Sequence, residues 1–318
     1  MASLLREART RLFTPNRIET TLARRGFFAK DEATRLRLEN VGATFLDGFE
    51  AALRSKDVQS ATAVLDAVDR PFRGFAFEGA GMGFAVLDGM PGNRGGRVRQ
   101  FLEGPGEPHI YMAYVGIGWA LAKLPRFCWS NVDAPDPLLR WLVMDGYGFY
   151  HAYFKTNQYV HQQLVGPPLR WPAGVTGNYA QRGIDQGIGR AMWFVAGANP
   201  GLAASLIGRF APDRQPDLWA GIGLAATYAG GVTEEELTEL RRVAGQYRPQ
   251  LAQGSTFGAQ ARVYAGLVTE HTPVATGILC GMTPEEAGKI TEMEKAALPD
   301  DGDEPAFEIW RQRIQSHF

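Results

Sequence analysis

From Asp31 onward the apolar positions recur at helical rather than strand spacing. Leu36, Leu38, Val41, Phe45, Leu46, Phe49 and Leu53 fall near one helical face behind an aspartate suited to the N-cap. Upstream, Ala2 to Phe13 predicts a short amphipathic helix stopped near Pro15, and Ile18 to Phe28 reads as an extended connector. A second helix is predicted over Val58 to Val68, ending before Pro71. Near the carboxyl end, Thr233-Glu-Glu-Glu236 and Thr283-Pro-Glu-Glu286 are capping boxes, each opening a helix. Strand-like alternation is scarce. The expected fold is all-α, either a helical-hairpin repeat of solenoid or toroid type or a large helical bundle, with a small β element allowed in the first thirty residues.

The central apolar stretches share a small-residue signature. It reads Gly81-Met-Gly83-Phe-Ala85, Gly116-Ile-Gly118-Trp-Ala120, Gly146-Tyr-Gly148-Phe-Tyr150, Gly187-Ile-Gly189-Arg-Ala191 and Gly221-Ile-Gly223-Leu-Ala225, with a weaker copy at Gly258. The first glycines are 35, 30, 41, 34 and 37 residues apart, the length of one helical hairpin each. Glycine inside a helix costs about 1 kcal/mol against alanine. Close backbone packing is the expected compensation, because four of the five clear copies place a second small residue four positions on, upon the same face. A nucleotide loop is the competing reading of G-x-G. It requires a preceding strand and an acidic residue about twenty further on, whereas Asp217-Leu-Trp-Ala220 before Gly221 reads as a helix start.

One domain over 1–318 is expected, made of a basic arm 1–30, a first helical half 31–164, a Pro/Gly-rich connector 165–177 and a second half 178–318. Further connectors are read at Gly89–Gly96 and Pro125–Pro137. Apolar residues form 45% of the 318 and charged residues 21%, enough for a sizeable core. The net charge of −1 argues against a nucleic-acid partner. Residues 1–26 carry six arginines against Glu7 and Glu19, while Asp300, Asp301, Asp303 and Glu304 close an acidic stretch, so the two ends could attract one another. Cys128 and Cys280 are the only cysteines, in keeping with a reducing, cytoplasmic setting. The longest apolar run, Ile110 to Leu124, falls short of the roughly 20 residues that cross a bilayer.

Chemistry is sought in ionisable residues embedded among the repeats, since a buried charge needs a partner or a task. Glu78, Asp145 and Asp185 lie close to repeat glycines and could point into one cavity, although Asp185 also has Arg182 within reach on its own helix. Tyr147, His151 and Lys155 share a stripe, making His151 a further acid–base candidate. Catalytic candidates are therefore Glu78, Asp145, His151 and Asp185. Trp119, Tyr147, Tyr150, Tyr153, Trp193 and Arg190 are the substrate-binding candidates, because rings beside glycine relief form a slot for a flat apolar ligand, unless they simply fill a large core. No metal-ligand or nucleophile-elbow spacing is visible, and no cofactor is assigned.

Arg25-Gly-Phe27-Phe-Ala-Lys30-Asp31, Leu38-Glu39-Asn-Val-Gly42, Phe45-Leu-Asp-Gly48, Phe77-Glu78-Gly-Ala-Gly-Met, Tyr114-Val-Gly-Ile-Gly-Trp-Ala, Asp145-Gly-Tyr-Gly-Phe-Tyr-His-Ala-Tyr-Phe and Gly187-Ile-Gly-Arg-Ala form a distinctive set. Together they resemble an uncharacterised bacterial family, domain of unknown function 1702, over nearly the whole chain. That family is similar to a protein encoded beside enediyne polyketide synthases. The resemblance implies an accessory role in enediyne core maturation, acting on or binding the linear conjugated polyene or acyl intermediate. It brings no catalytic set. Alternative readings are a scaffold that docks on the synthase or its carrier domain, a metal-dependent oxidoreductase component, and, for assembly, a homodimer.

Overall fold

The computed structural model describes residues 2–93, 95–167, 171 and 179–318. Eight long helices follow one another as neighbours: α1 (Glu32–Arg54), α2 (Arg70–Gly89), α3 (Ile110–Lys123), α4 (Leu142–Phe154), α5 (Tyr179–Val195), α6 (Gln215–Tyr228), α7 (Arg248–Tyr264) and α8 (Pro284–Glu294). Each packs on the next in the series. Short helices on the outside, such as Val58–Asp66, Pro200–Ile207, Glu234–Ala244 and His271–Leu279, carry the chain back between them, and the last three pack on one another in turn. The result is a two-layered helical-hairpin repeat. Between α3 and α4 and after α4 the outer helix shrinks to a 3-10 segment (Arg126–Asn131) and a π-helical turn (Asn157–His161).

Helix starts follow local chemistry. Asp31 accepts from the Thr34 N–H to open α1, and Thr233 and Thr283 close capping boxes with Glu236 and Glu286. Two expectations are corrected. No strand occurs among the described residues, and Ile18–Phe28 is not extended. It folds as a 3-10 turn (Arg17–Thr20) and one helical turn (Leu22–Arg25), because Asn16 and Thr21 cap them with their side chains and Gly26 (φ +70°) ends the second. The connector 165–177 lies mostly outside the described residues. Among the described residues no ion pair joins the two charged ends: Arg17 pairs with Asp47, Arg24 and Arg25 pair with Glu19, and Asp301 pairs with Arg140. No helix among the described residues is long and apolar enough to cross a membrane.

The glycine pairs are the joints of the inner layer. In α3, a Cβ on Gly116 would stand 2.0 Å from the Glu78 carbonyl oxygen of α2, and one on Gly118 would stand 2.1 Å from that of Val143 in α4. The same holds down the series. Gly146 and Gly148 face Val115 and Ile184, Gly187 and Gly189 face Asp145 and Leu218, and Gly221 and Gly223 face Gln186 and Leu251. The first glycine of each pair seats the helix on its predecessor and the second receives its successor. Contact geometry also resets two copies. In α2 the working pair is Gly79-Ala-Gly81, not Gly81-Met-Gly83, since Gly79 meets Phe45 of α1 and Gly81 meets Ala113 of α3. In α7 Gly254, against Ala220, takes the place expected of Gly258.

The array curls until its first members reach the end of α6. Thr34 of α1 bonds the Gly231 carbonyl, and Phe75 of α2 meets the Tyr228 ring edge-on at 5.1 Å. The carboxyl end of α6 is the meeting point. Arg37 Nε donates to Ala229 O at 2.6 Å, Arg262 Nη2 to Tyr228 O at 2.6 Å and Trp193 Nε1 to Gly230 O at 2.9 Å, while His271 Nε2 lies 2.8 Å from Ala226 O. A helix end leaves carbonyls unpaired and carries partial negative charge, so it can hold cations for which no carboxylate is supplied. Arg262 is fully buried on this principle, with its guanidinium 3.9 Å from the Tyr228 ring centroid.

Gly146→Ala, which drives a methyl into the Val115 carbonyl at 1.9 Å, is expected to cost about 2–3 kcal/mol or more. Gly277→Ala, at an exposed position of the helix His271–Leu279 with nothing within 4 Å, is expected to be neutral or to gain up to about 1 kcal/mol. Urea melts of both variants check the contrast; equal effects would remove the interlock from the account.

Candidate functional site

Because both glycines of a pair are fixed against neighbours, the rotation of each inner helix is fixed too. The residue just before the first glycine and the one three after it lie four apart, hence on one stripe. That stripe faces the interior. Met82, Trp119, Phe149, Arg190 and Leu224, each three past its glycine, all line one chamber of about 250 Å³. In α1, where Leu46 replaces the first glycine and Gly48 is the second, the corresponding Phe45 and Phe49 line it as well. Phe75, Tyr150, Tyr153, Phe154, Phe194 and Tyr228 extend the apolar wall. A smaller hollow of about 30 Å³, bounded by Val115, Phe257 and Trp310, shares Arg190, Leu224 and Tyr228 with the chamber.

One cluster of buried charge stands at the wall of this apolar space. Arg190 reaches two carboxylates, binding Asp145 Oδ1 through Nη1 and approaching Glu78 Oε1 to 3.7 Å through Nη2. Its guanidinium lies 5.0 Å from the Phe149 ring centroid. The remaining Asp145 oxygen accepts from Gln186 Nε2 at 2.7 Å, and Glu78 Oε1 accepts from Trp119 Nε1 at 3.1 Å. Glu78, Asp145 and Arg190 are all buried. Burial raises the Glu78 carboxyl to about 7; Arg190 opposes the rise and the Asp145 charge adds to it. Glu78 therefore exchanges its proton near neutrality, inside the chamber and beside a fixed cation. That is the condition for general acid–base work.

The sequence candidates separate cleanly. Glu78, Asp145 and Arg190 come together, and Trp119, Tyr150 and Tyr153 line the chamber, the Tyr153 hydroxyl donating to Thr20 O at 3.2 Å. Asp185 is elsewhere. It lies two residues before its glycine where Asp145 lies one before, a rotation of about 100°, and it is held by Arg214 (Nε to Oδ2, 2.9 Å) and Gln181 rather than by Arg182. Arg182 instead joins Asp217 and Glu308 in a buried network with Arg311 and Tyr179 that anchors the last helix, Ala306–Gln315. Tyr147 and His151 do share a stripe, with ring centroids 4.4 Å apart, but it faces Trp129, Trp171 and Tyr159 and not the chamber. Lys155 is exposed. Burial first, then Lys155, pulls the His151 imidazole down to about 3, so it stays neutral at physiological pH. Trp193 is fully buried and bonded to Gly230 O.

Phe45, Phe49, Met82, Lys123 and Leu224 belong to the site and are absent from the sequence candidates. The register of the glycine pairs finds them once Gly79 is recognised as the first glycine of α2. Cys128 and Cys280 are buried and free. Among the described residues no three His, Cys, Asp or Glu side chains are placed to hold a metal ion.

A family model described as "Protein of unknown function (DUF1702)" matches residues 4–318. No curated protein and no solved structure matches the chain.

Glu78→Gln supplies a check on the raised carboxyl. A folded-state value near 7 against an unfolded value near 4.5 means that the native state holds the extra proton between those pH values. Stability then falls as pH rises through that window. The variant, which has no such proton to lose, is expected to gain on the wild-type protein from pH 4.5 to 7.5 in paired urea melts. A pH-independent difference would contradict the assignment.

Proposed function

The chain belongs to the DUF1702 family, and we propose that its inner chamber receives a linear conjugated polyene or acyl chain, as an accessory protein of enediyne polyketide biosynthesis. The ligand half of this reading is carried by one observation: an aromatic chamber with a buried carboxylate–guanidinium pair, Glu78 and Arg190, in its wall and Asp145 bound behind Arg190. The pathway half is carried by the resemblance of the glycine-bearing motifs to the family encoded beside enediyne synthases. A cytoplasmic setting, in which both buried cysteines stay free, belongs to the same proposal.

In this reading the rings of Trp119, Phe149, Tyr153 and Phe194 stack along the chain and exclude water. Exclusion of water strengthens every charge interaction at the patch. Glu78 gives a proton to, or takes one from, a chain carbon laid against it, with the Trp119 N–H holding the carboxyl in place. Arg190, neutralised from its other side by Asp145, balances the charge that appears when Glu78 ionises. His151 and Asp185 take no part, since neither lines the chamber.

Two measurements test the proposal. Quenching of tryptophan fluorescence by a linear conjugated polyene is expected in the wild-type protein and lost in Ala225→Phe, which fills the chamber from α6; unaltered binding by that variant would place the ligand elsewhere. In a reaction reconstituted with the synthase, Glu78→Gln is expected to lower product formation about 100-fold or more, and His151→Phe to leave it within a few-fold. Folding of both variants is confirmed by circular dichroism. The reverse ranking would sink the catalytic assignment.

A further inference from the structure

One charge in the chamber has no task in the reading above. Lys123 is the last residue of α3 and lines the chamber on the same stripe as Trp119, one turn nearer the helix end. At the equivalent position α2 and α4 to α7 carry Val86, Tyr153, Phe194, Tyr228 and Ala261, so the ammonium group stands where those five helices are uncharged. Glu19, also at the chamber wall, is engaged by Arg24 and Arg25. Arg190, about 250 Å³ of apolar space notwithstanding, is matched by its own two carboxylates. Lys123 differs from both: among the described residues no carboxylate pairs with it. It is half-buried, and burial pulls its ammonium below the ordinary lysine range. A lysine near a helix carboxyl end is favoured by the helix dipole. That preference accounts for the turn of the helix it occupies, but not for a side chain set on the inward stripe.

We infer that the chamber's ligand ends in a free carboxylate, and that Lys123 is its counter-ion at the rim while the apolar chain runs inward past Trp119 toward Glu78 and Arg190. The inference rests on the chamber reading and deepens it by naming the head group. A carboxylate placed at Lys123 gains a charge-assisted hydrogen bond in a partly desolvated setting. The same carboxylate at the inner end would meet Glu78 and Asp145 as like charges, with Arg190 already engaged. The ligand's direction is thereby fixed: head at the rim, tail at the proton-exchanging carboxyl.

The test uses the full chain and two probes, the conjugated 18-carbon tetraenoic acid cis-parinaric acid and its methyl ester, followed by probe fluorescence. The wild-type protein is expected to bind the acid about tenfold more tightly than the ester, the effect of one charged hydrogen bond. Lys123→Met is expected to bring the acid down to the level of the ester and leave the ester unchanged, while Lys123→Arg keeps the preference. Equal binding of acid and ester by the wild-type protein, or an undiminished preference in Lys123→Met, overturns the assignment of Lys123 and leaves the chamber standing. Failure of both probes to bind overturns the chamber reading itself and this inference with it.

Discussion

The contact on which everything else depends is a glycine Cα pressed against a carbonyl of the adjacent helix. In the inner layer it occurs on both sides of α2 through α6, with a Cβ at each position falling 1.9 to 2.7 Å from a backbone oxygen. No side chain fits such a gap. Glycine lowers helix propensity by about 1 kcal/mol per residue, so the helices persist because close approach and the burial of their apolar faces outweigh that loss. A contact that admits only hydrogen also admits only one rotation of each helix about its axis.

Fixed rotation turns a packing device into a positioning device. Once Gly146 faces Val115 and Gly148 faces Ile184, Asp145 and Phe149 have no choice but to face inward. The same argument places Glu78 and Met82 from α2, Trp119 from α3 and Arg190 from α5. Three charged groups thus converge from helices far apart in sequence without any loop to guide them. The carboxyl end of α6 completes the enclosure by accepting Arg37 and Arg262, whose charges it balances with exposed carbonyls rather than with acids. Deep in the chamber wall Glu78 and Arg190 are paired, and burial sets the Glu78 carboxyl near neutrality.

The repeat was legible in the sequence because G-x-G pairs recur at hairpin spacing, and the all-α architecture follows from it. The register within a repeat was less so. Gly79, Gly81 and Gly83 offer two overlapping pairs in α2, and only the neighbours Phe45 and Ala113 decide between them. A one-residue difference likewise separates Asp145, which binds the chamber-lining Arg190, from Asp185, which turns to Arg214. Sequence proximity favoured Arg182 as the partner of Asp185, yet tertiary contacts with Asp217 and Glu308 claim that arginine. The caps Asn16 and Thr21 were local signals of helical turns where an extended connector was expected. Closure of the array on the α6 end has no sequence signature, because it joins residues nearly 200 positions apart.

Xenon binding in pressurised crystals tests the central claim most directly, since the gas enters preformed apolar cavities of this kind. A xenon peak is expected in the chamber lined by Trp119, Phe149 and Phe194. Side chains found collapsed into that space, or xenon bound elsewhere with the interior empty of it, would contradict the claim that interlocked glycines hold open an apolar chamber.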